Sequence, residues 1–144
     1  MTEQLHDQAK PFVHRCPCRV LYGDTDAGGV VYYANYLRYF EHGRTELMRE
    51  RVMAYRQLEE QGIIMPVVEC SARYKASARY DDLLVVETSV GLVKAVTCRF
   101  DYRIVLESDG RLLVEGHTVH AAVNRSGKPV RFPKELLSGL REVV

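Results

Sequence analysis

Tryptophan is absent from the 144 residues, and neither sign of charge is in excess: 20 Lys and Arg stand against 19 Asp and Glu. Without an indole, stacking on an adenine or a nucleobase would fall to the nine Tyr. A net charge of +1 provides no general attraction for nucleic acid or an acidic membrane, so any contact with a polyanion must be local. No uninterrupted apolar run approaches the ~20 residues that cross a bilayer as a helix, which argues against stable insertion. Residues 1–10 lack an apolar signal core and carry Glu3 and Asp7, so they read as a flexible tail, and the expected compartment is the cytoplasm. Cysteine is sparse and badly spaced for metal. Cys16-Pro17-Cys18 is a C-x-C pair with no second close pair to complete a zinc site, and Cys70 and Cys98 stand alone. All four read as reduced thiols in the core or on strands.

What remains is an ordinary globular composition, 47% hydrophobic and 27% charged, sized for one domain over residues 11–144. Residues 12–22 are rich in aromatic, β-branched and thiol side chains and read as a strand. Pro17 has no N–H to give a ladder, which assigns that strand to a sheet edge. Over residues 33–61 the apolar positions Tyr36, Leu37, Phe40, Gly43, Leu47, Met48, Val52, Tyr55 and Leu58 recur mostly at three- and four-residue steps, predicting one long helix that Gly62 ends. Gly43 weakens a helix interior by about 1 kcal/mol relative to Ala, and close packing on a sheet is the expected compensation.

Beyond Pro66 the pattern changes to period two. Strands are predicted over 67–76, 83–93, 98–106 and 112–123, with a hairpin turn at Ser108-Asp109-Gly110-Arg111 and a short helix over 134–140. Leu83-Leu84-Val85-Val86 and Leu112-Leu113-Val114 are apolar on both strand faces, while one amphipathic helix covers only one side. The leftover apolar surface calls for a partner.

The chemistry concentrates where the first strand meets the helix, in Asp24-Thr25-Asp26-Ala27-Gly28-Gly29. A helix beginning near Tyr33 would offer uncommitted N–H groups and the positive end of its dipole to a carbonyl oxygen. Gly28 and Gly29 let another molecule approach the backbone closely. A carboxylate at Asp26 could attack the polarised carbon or take a proton from water that does. A thioester suits such a site, because its thiolate leaves near neutral pH without a strong general acid. The site needs no cofactor or metal. Asp is equally favoured at turns and helix caps, so the residue types alone leave a purely structural role open.

The run from Asp24 to Tyr32 resembles the signature of the hotdog-fold acyl-CoA thioesterases of the 4-hydroxybenzoyl-CoA thioesterase type. Within that group it is most similar to the branch associated with the bacterial Tol-Pal system. The likeness continues through Ala34-Asn35-Tyr36-Leu37, Phe40-Glu41, Arg44-Thr45-Glu46, Ala78-Arg79-Tyr80-Asp81-Asp82 and His120-Ala121. It implies an α+β hotdog fold, a five-stranded antiparallel sheet wrapped around one long central helix, with the first strand at one edge. It also implies hydrolysis of acyl-CoA to free acid and CoA, in a homodimer or homotetramer with its active sites at the dimer interface. Carried over by position, the catalytic carboxylate falls on Asp26 and the carbonyl-polarising backbone N–H on Tyr33, where many members of the Tol-Pal branch have His. Asp24 and Asn35 are expected to support the turn.

Lys75 and Arg79, and less specifically Lys94, Arg125, Lys128 and Arg131, are candidates for the CoA phosphates. His42 beside Glu41 suggests the alternative of a hotdog enoyl-thioester hydratase, although adjacent helical residues do not face one another. A non-catalytic acyl-CoA-binding module is a further alternative. His117 and His120, three apart on a strand, should face opposite ways and share no metal.

Overall fold

The computed structural model describes residues 11–144, so the tail expected over residues 1–10 lies outside the described residues. Five strands, β1 (His14–Arg19), β2 (Val67–Tyr74), β3 (Leu83–Val93), β4 (Thr97–Leu106) and β5 (Leu112–Ala121), form one antiparallel sheet in the order β1-β3-β4-β5-β2. Pro17 does place β1 at an edge, opposite Val85 of β3. The first strand is shorter than residues 12–22, because the chain coils into a 3₁₀ turn at Tyr22–Asp24. The hairpin from β4 to β5 turns where expected: Gly110 has φ 72°, and the Asp109 carboxylate accepts the Arg111 N–H at 2.9 Å.

The predicted single helix is two, α1 (Asn35–Arg51) and α2 (Tyr55–Glu60). Val52 leaves helical geometry, with φ −126° and ψ −85°, and Ala54 is extended. A close tertiary contact accompanies the break. Val52 packs against Gly139 of a C-terminal helix, α3 (Lys134–Glu142), where a Cβ on the glycine would stand 2.8 Å from a Val52 methyl. The change of direction buries Leu58 completely and lets the Tyr55 hydroxyl accept the Met65 N–H at 3.0 Å. Gly62, with φ 79°, follows α2 as expected. The buried face of α1 is Tyr36, Tyr39, Phe40, Gly43, Leu47 and Met48, the three-and-four spacing of an amphipathic helix. Leu37 is exposed instead.

Gly43 is where α1 comes closest to β3. A Cβ there would stand 2.5 Å from both the Thr88 hydroxyl oxygen and a Val86 methyl, closer than non-bonded atoms approach. The packing expected from sequence is therefore present. The apolar surface left over is not where expected, however. Val85 and Val105 of β3 and β4 are buried within this chain, and one group of exposed apolar side chains lies on the β2 edge and the approach to α1: Val67, Val68, Tyr74, Tyr32, Tyr33 and Leu37.

Between α1 and the sheet runs a buried polar chain. The Arg44 guanidinium lies 3.2 Å from the Tyr102 hydroxyl, which lies 2.6 Å from the Thr118 hydroxyl. That hydroxyl is 2.9 Å from His120 Nε2, and His120 Nδ1 is 3.1 Å from the Met65 carbonyl oxygen. A carbonyl only accepts, so Nδ1 carries the proton of the neutral imidazole and Nε2 accepts from Thr118. Tyr102 then donates to Thr118 and accepts from Arg44. Every proton points one way. Burial, with the nearby Arg44 charge adding to it, pushes the His120 pKa down to about 4. Protonated His120 would become a donor toward Thr118 and reverse the chain against the Arg44 N–H.

Two consequences follow for stability. Gly43→Ala gains helix propensity but forces Val86 and Thr88 aside, so urea denaturation should show a net loss of roughly 1–3 kcal/mol. Because unfolded His120 titrates near its ordinary value of about 6.5 and folded His120 near 4, the unfolded chain binds the extra proton between them. The His120 contribution to stability is complete above that window and declines as pH falls through it. The urea midpoint followed from pH 7 to pH 4 should fall less steeply in His120→Gln than in the native chain.

Candidate active site

The 24–31 loop is fixed from inside. Asp24 is only 2% exposed, and its carboxylate Oδ2 accepts the Leu21 N–H and the Tyr39 O–H, each at 2.9 Å. The Arg38 guanidinium stands 3.4 Å from the other oxygen, Oδ1. The Asp24 carbonyl accepts the Asn35 side-chain N–H and the Tyr32 backbone N–H, both at 2.9 Å, so the two ends of the loop are tied at one residue. Burial, followed by the neighbouring Asp24 carboxylate, pushes the Tyr39 phenol pKa upward, which keeps it a proton donor to that carboxylate. Asp24 and Asn35 thus hold the turn and do not line the cleft beside it.

Asp26 sits at the turn itself. Its backbone N–H donates to the Val30 carbonyl at 2.9 Å, and its carbonyl accepts the Gly29 N–H at 3.0 Å. Its side-chain Oδ1 accepts the Gly28 N–H at 2.8 Å, which aims the exposed carboxylate. A Cβ on Gly28 would stand 3.1 Å from that same oxygen, and Gly29 has φ 80°, so both glycines are used. Asp26 lines an open cleft with Val30, Val31, Tyr33, Tyr36, Tyr74, Lys75, Ala76 and Ser77.

Tyr33 differs from expectation in one respect. Helix α1 begins at Asn35 with Ala34 as its cap, so Tyr33 precedes the helix rather than opening it. The Asn35 N–H already donates to the Tyr32 carbonyl. The Tyr33 N–H has no acceptor among the described residues and remains available to a ligand. The Tyr33 carbonyl accepts the Tyr74 O–H at 3.0 Å, so the peptide that follows the Tyr33 N–H is held from across the cleft, and the peptide that carries it is held by the Asn35 N–H on the Tyr32 carbonyl. The Tyr36 hydroxyl accepts the Ala78 N–H at 3.1 Å and joins α1 to the segment that follows β2.

Of the expected CoA-binding cations, Lys75 lies in the cleft with Asp26, and its ammonium is 3.8 Å from a Glu115 carboxylate oxygen. Arg79 stands beside the loop: its guanidinium is 3.8 Å from where a Cβ on Gly29 would sit, and its backbone N–H donates to the Asp82 carboxylate. Lys94, Arg125, Lys128 and Arg131 do not line this cleft. His42 is exposed, with no bonded carboxylate among the described residues, so the geometry assembles no His–carboxylate pair there. His117 and His120 do face opposite ways, one half-buried near Glu69 and the other buried in the polar chain. Tyr36 is in the core, as its helical spacing predicts, and its hydroxyl also reaches the cleft's edge. Nothing in the sequence signals Tyr74, because no local spacing links it to Tyr33, 41 residues away.

A carboxylate held by a backbone N–H, an uncommitted N–H seven residues on and a neighbouring ammonium can act on a polarised acyl group whose leaving group is anionic. Comparison with known proteins agrees in chemistry and in shape. The family described as the thioesterase-like superfamily matches residues 20–140. An acyl-CoA thioesterase, YbgC, from Haemophilus influenzae is 44% identical over 123 residues, covering 83% of this chain and 88% of that protein. The 4-hydroxybenzoyl-CoA thioesterase of a Pseudomonas species is 35% identical over 75 residues, 50% of this chain and 53% of that one. The crystal structure of a DHNA-CoA thioesterase from Staphylococcus aureus superposes with TM-score 0.80 at 30% identity, covering 83% of this chain and 80% of that one. On this sheet, this loop and this extent of likeness, the chain belongs to the thioesterase-like superfamily as a hotdog-fold acyl-CoA thioesterase.

Proposed function

We propose that the chain hydrolyses an acyl-CoA thioester with Asp26 as nucleophile or general base and the Tyr33 backbone N–H as oxyanion donor. The observation that carries this reading is the shared cleft. The Asp26 carboxylate, steadied at 2.8 Å by the Gly28 N–H, borders the same space as Tyr33, whose N–H is uncommitted among the described residues and whose flanking carbonyls, Tyr32 and Tyr33, are held by the Asn35 N–H and the Tyr74 O–H. The thioester carbonyl oxygen accepts the Tyr33 N–H while Asp26 attacks the carbon or deprotonates attacking water. In either order the C–S bond breaks, CoA leaves as its thiolate, and a water oxygen ends in the acid product. One preorganised oxyanion donor lowers such a barrier by ~3–4 kcal/mol. Lys75 and Arg79 are proposed to meet the negative charge of the coenzyme at the cleft and its rim.

We further propose that the working unit is a homodimer or larger homo-oligomer joined along β2, with the site at the junction. Edge strands with unpaired backbone groups and apolar neighbours pair readily with a second copy. Tyr74 of β2 and the adjoining Lys75 line the cleft, so a second copy seated on this edge would border it. The motif residues from Asp24 to Tyr32 support placement in the Tol-Pal-associated branch, and a cytoplasmic compartment accords with thiols that are free among the described residues. No helix of the described residues is long and apolar enough to cross a membrane.

Free-thiol release from acetyl-, butyryl-, hexanoyl-, palmitoyl-, benzoyl- and 4-hydroxybenzoyl-CoA reads the activity and ranks the acyl groups. Asp26→Asn should lower turnover at least ~100-fold with folding unchanged, and release at the native rate would end the assignment of Asp26. Light scattering after size exclusion checks the assembly. Val68→Asp places a charge on the exposed β2 edge and should shift the protein toward monomer while lowering turnover.

A further inference from the structure

Two arginines of the described residues, Arg44 and Arg99, are half-buried, and they are treated differently. Arg99 is ion-paired with Asp101 at 3.1 Å. Arg44 is half-buried on α1, and no carboxylate among the described residues pairs with it; its only hydrogen bond there is the 3.2 Å contact with the neutral Tyr102 hydroxyl. Because a buried cation is costly unless it is paired, an unpaired half-buried guanidinium marks a place for an anion.

Arg44 faces a pocket of about 130 Å³ enclosed by α1, α2, β4 and β5, which shares no lining residue with the Asp26 cleft. Its walls include Met48, Met65, Phe100 and the Tyr55 ring, which suit an apolar body. The polar chain beneath it is saturated. Tyr102, Thr118 and His120 spend their protons on one another and on the Met65 carbonyl, and the Arg44 contact occupies the Tyr102 oxygen. The guanidinium has five N–H donors and is left with several uncommitted. The other ionisable groups facing the pocket are Glu41, the Tyr55 phenol and neutral His120, with Cys98 and Tyr102 behind them on β4. Glu41 is exposed, and its carboxylate does not reach Arg44 within ion-pair distance, so it leaves the guanidinium free and weakly repels an incoming anion.

We propose that this pocket binds a small organic carboxylate, its carboxyl group on Arg44 and its ring or short chain against Met48, Met65 and Phe100. The planar fork of the guanidinium matches a carboxylate, and the apolar walls favour an organic acid over inorganic phosphate. Two sources present the same group: a free acid, which thioester hydrolysis releases, and the distal carboxylate of an ω-carboxyacyl thioester.

Met48 and Met65 sit in the pocket wall, so methyl-¹³C methionine NMR of the full chain reads the site directly, with Met53 outside the lining as the reference. Titration with hexanoate or benzoate should shift the Met48 and Met65 resonances saturably, and equal concentrations of inorganic phosphate should not. Arg44→Gln should weaken binding at least ~10-fold, Arg44→Lys by less, and Glu41→Gln should tighten it. Asp26→Asn should bind like the native chain, which separates this site from the catalytic reading. Thiol release from glutaryl-CoA and butyryl-CoA then distinguishes the sources. A lower glutaryl-to-butyryl ratio of kcat/KM in Arg44→Gln assigns the carboxylate to the acyl group, and an unchanged ratio with lost acid binding assigns it to a free acid. Absence of a saturable shift in the native protein, or equal affinity in folded Arg44→Gln, overturns the proposal. A change of oligomeric state in Arg44→Gln without acid binding would instead give the guanidinium a carboxylate of a second copy.

Discussion

The buried carboxylate of Asp24 sets the geometry on which the rest of the site depends. A charge that is 2% exposed persists only with its lone pairs satisfied, and here the donors come from both directions along the chain. Leu21 lies at the end of the incoming segment and Tyr39 on the outgoing helix, so the carboxylate holds the two together at 2.9 Å each. Asn35 and Tyr32 add a second tie through the Asp24 carbonyl. The loop between is left with little freedom. Asp26 is displayed by a residue that does none of the chemistry itself, on a turn where Gly28 relieves the crowding around its carboxylate and Gly29 takes the positive φ.

The same helix meets the sheet in two contrasting ways. At Gly43 the contact with Val86 and Thr88 is so close that no side chain fits between α1 and β3. One residue later Arg44 begins a chain of hydrogen bonds that passes through Tyr102 and Thr118 to His120 and ends on a backbone carbonyl. Close approach explains both. It excludes water, which strengthens the dispersion contact at one position and leads the Tyr102, Thr118 and His120 side chains beyond the next to find protein partners. The chain meets that demand with a single orientation of protons, and a neutral imidazole is its condition. Phe40, stacked 4.3 Å above the Tyr102 ring, closes the same layer from the apolar side.

Local patterns carried much of this into the sequence. Alternation in β4, the missing N–H of Pro17 and the turn chemistry around Gly110 are properties of neighbouring residues, and the strands formed where those patterns predicted. The same holds for the Asp26-Gly28-Gly29 turn, because its contacts span only two to four residues. The helix break at Val52 was not legible in this way. The three-and-four spacing continues through Tyr55 and Leu58, and the contact that accompanies the break, Val52 against Gly139, joins residues far apart in the chain. Likewise the apolar runs of β3 suggested an uncovered surface, yet Val85 is buried within the chain and the exposed patch formed around β2.

The sequence by itself determined that this chain makes an antiparallel sheet with an amphipathic helix, and that a carboxylate and two glycines stand where the first strand gives way to that helix. It did so because hydrophobic period and turn preference are set by residues a few positions apart. It took the folded chain to bring the Tyr74 hydroxyl to the Tyr33 carbonyl, to put Lys75 in the cleft with Asp26, and to leave Arg44 half-buried without a carboxylate among the described residues. Those relations join residues tens of positions apart. Their distances depend on sheet order and helix placement, which no local pattern contains.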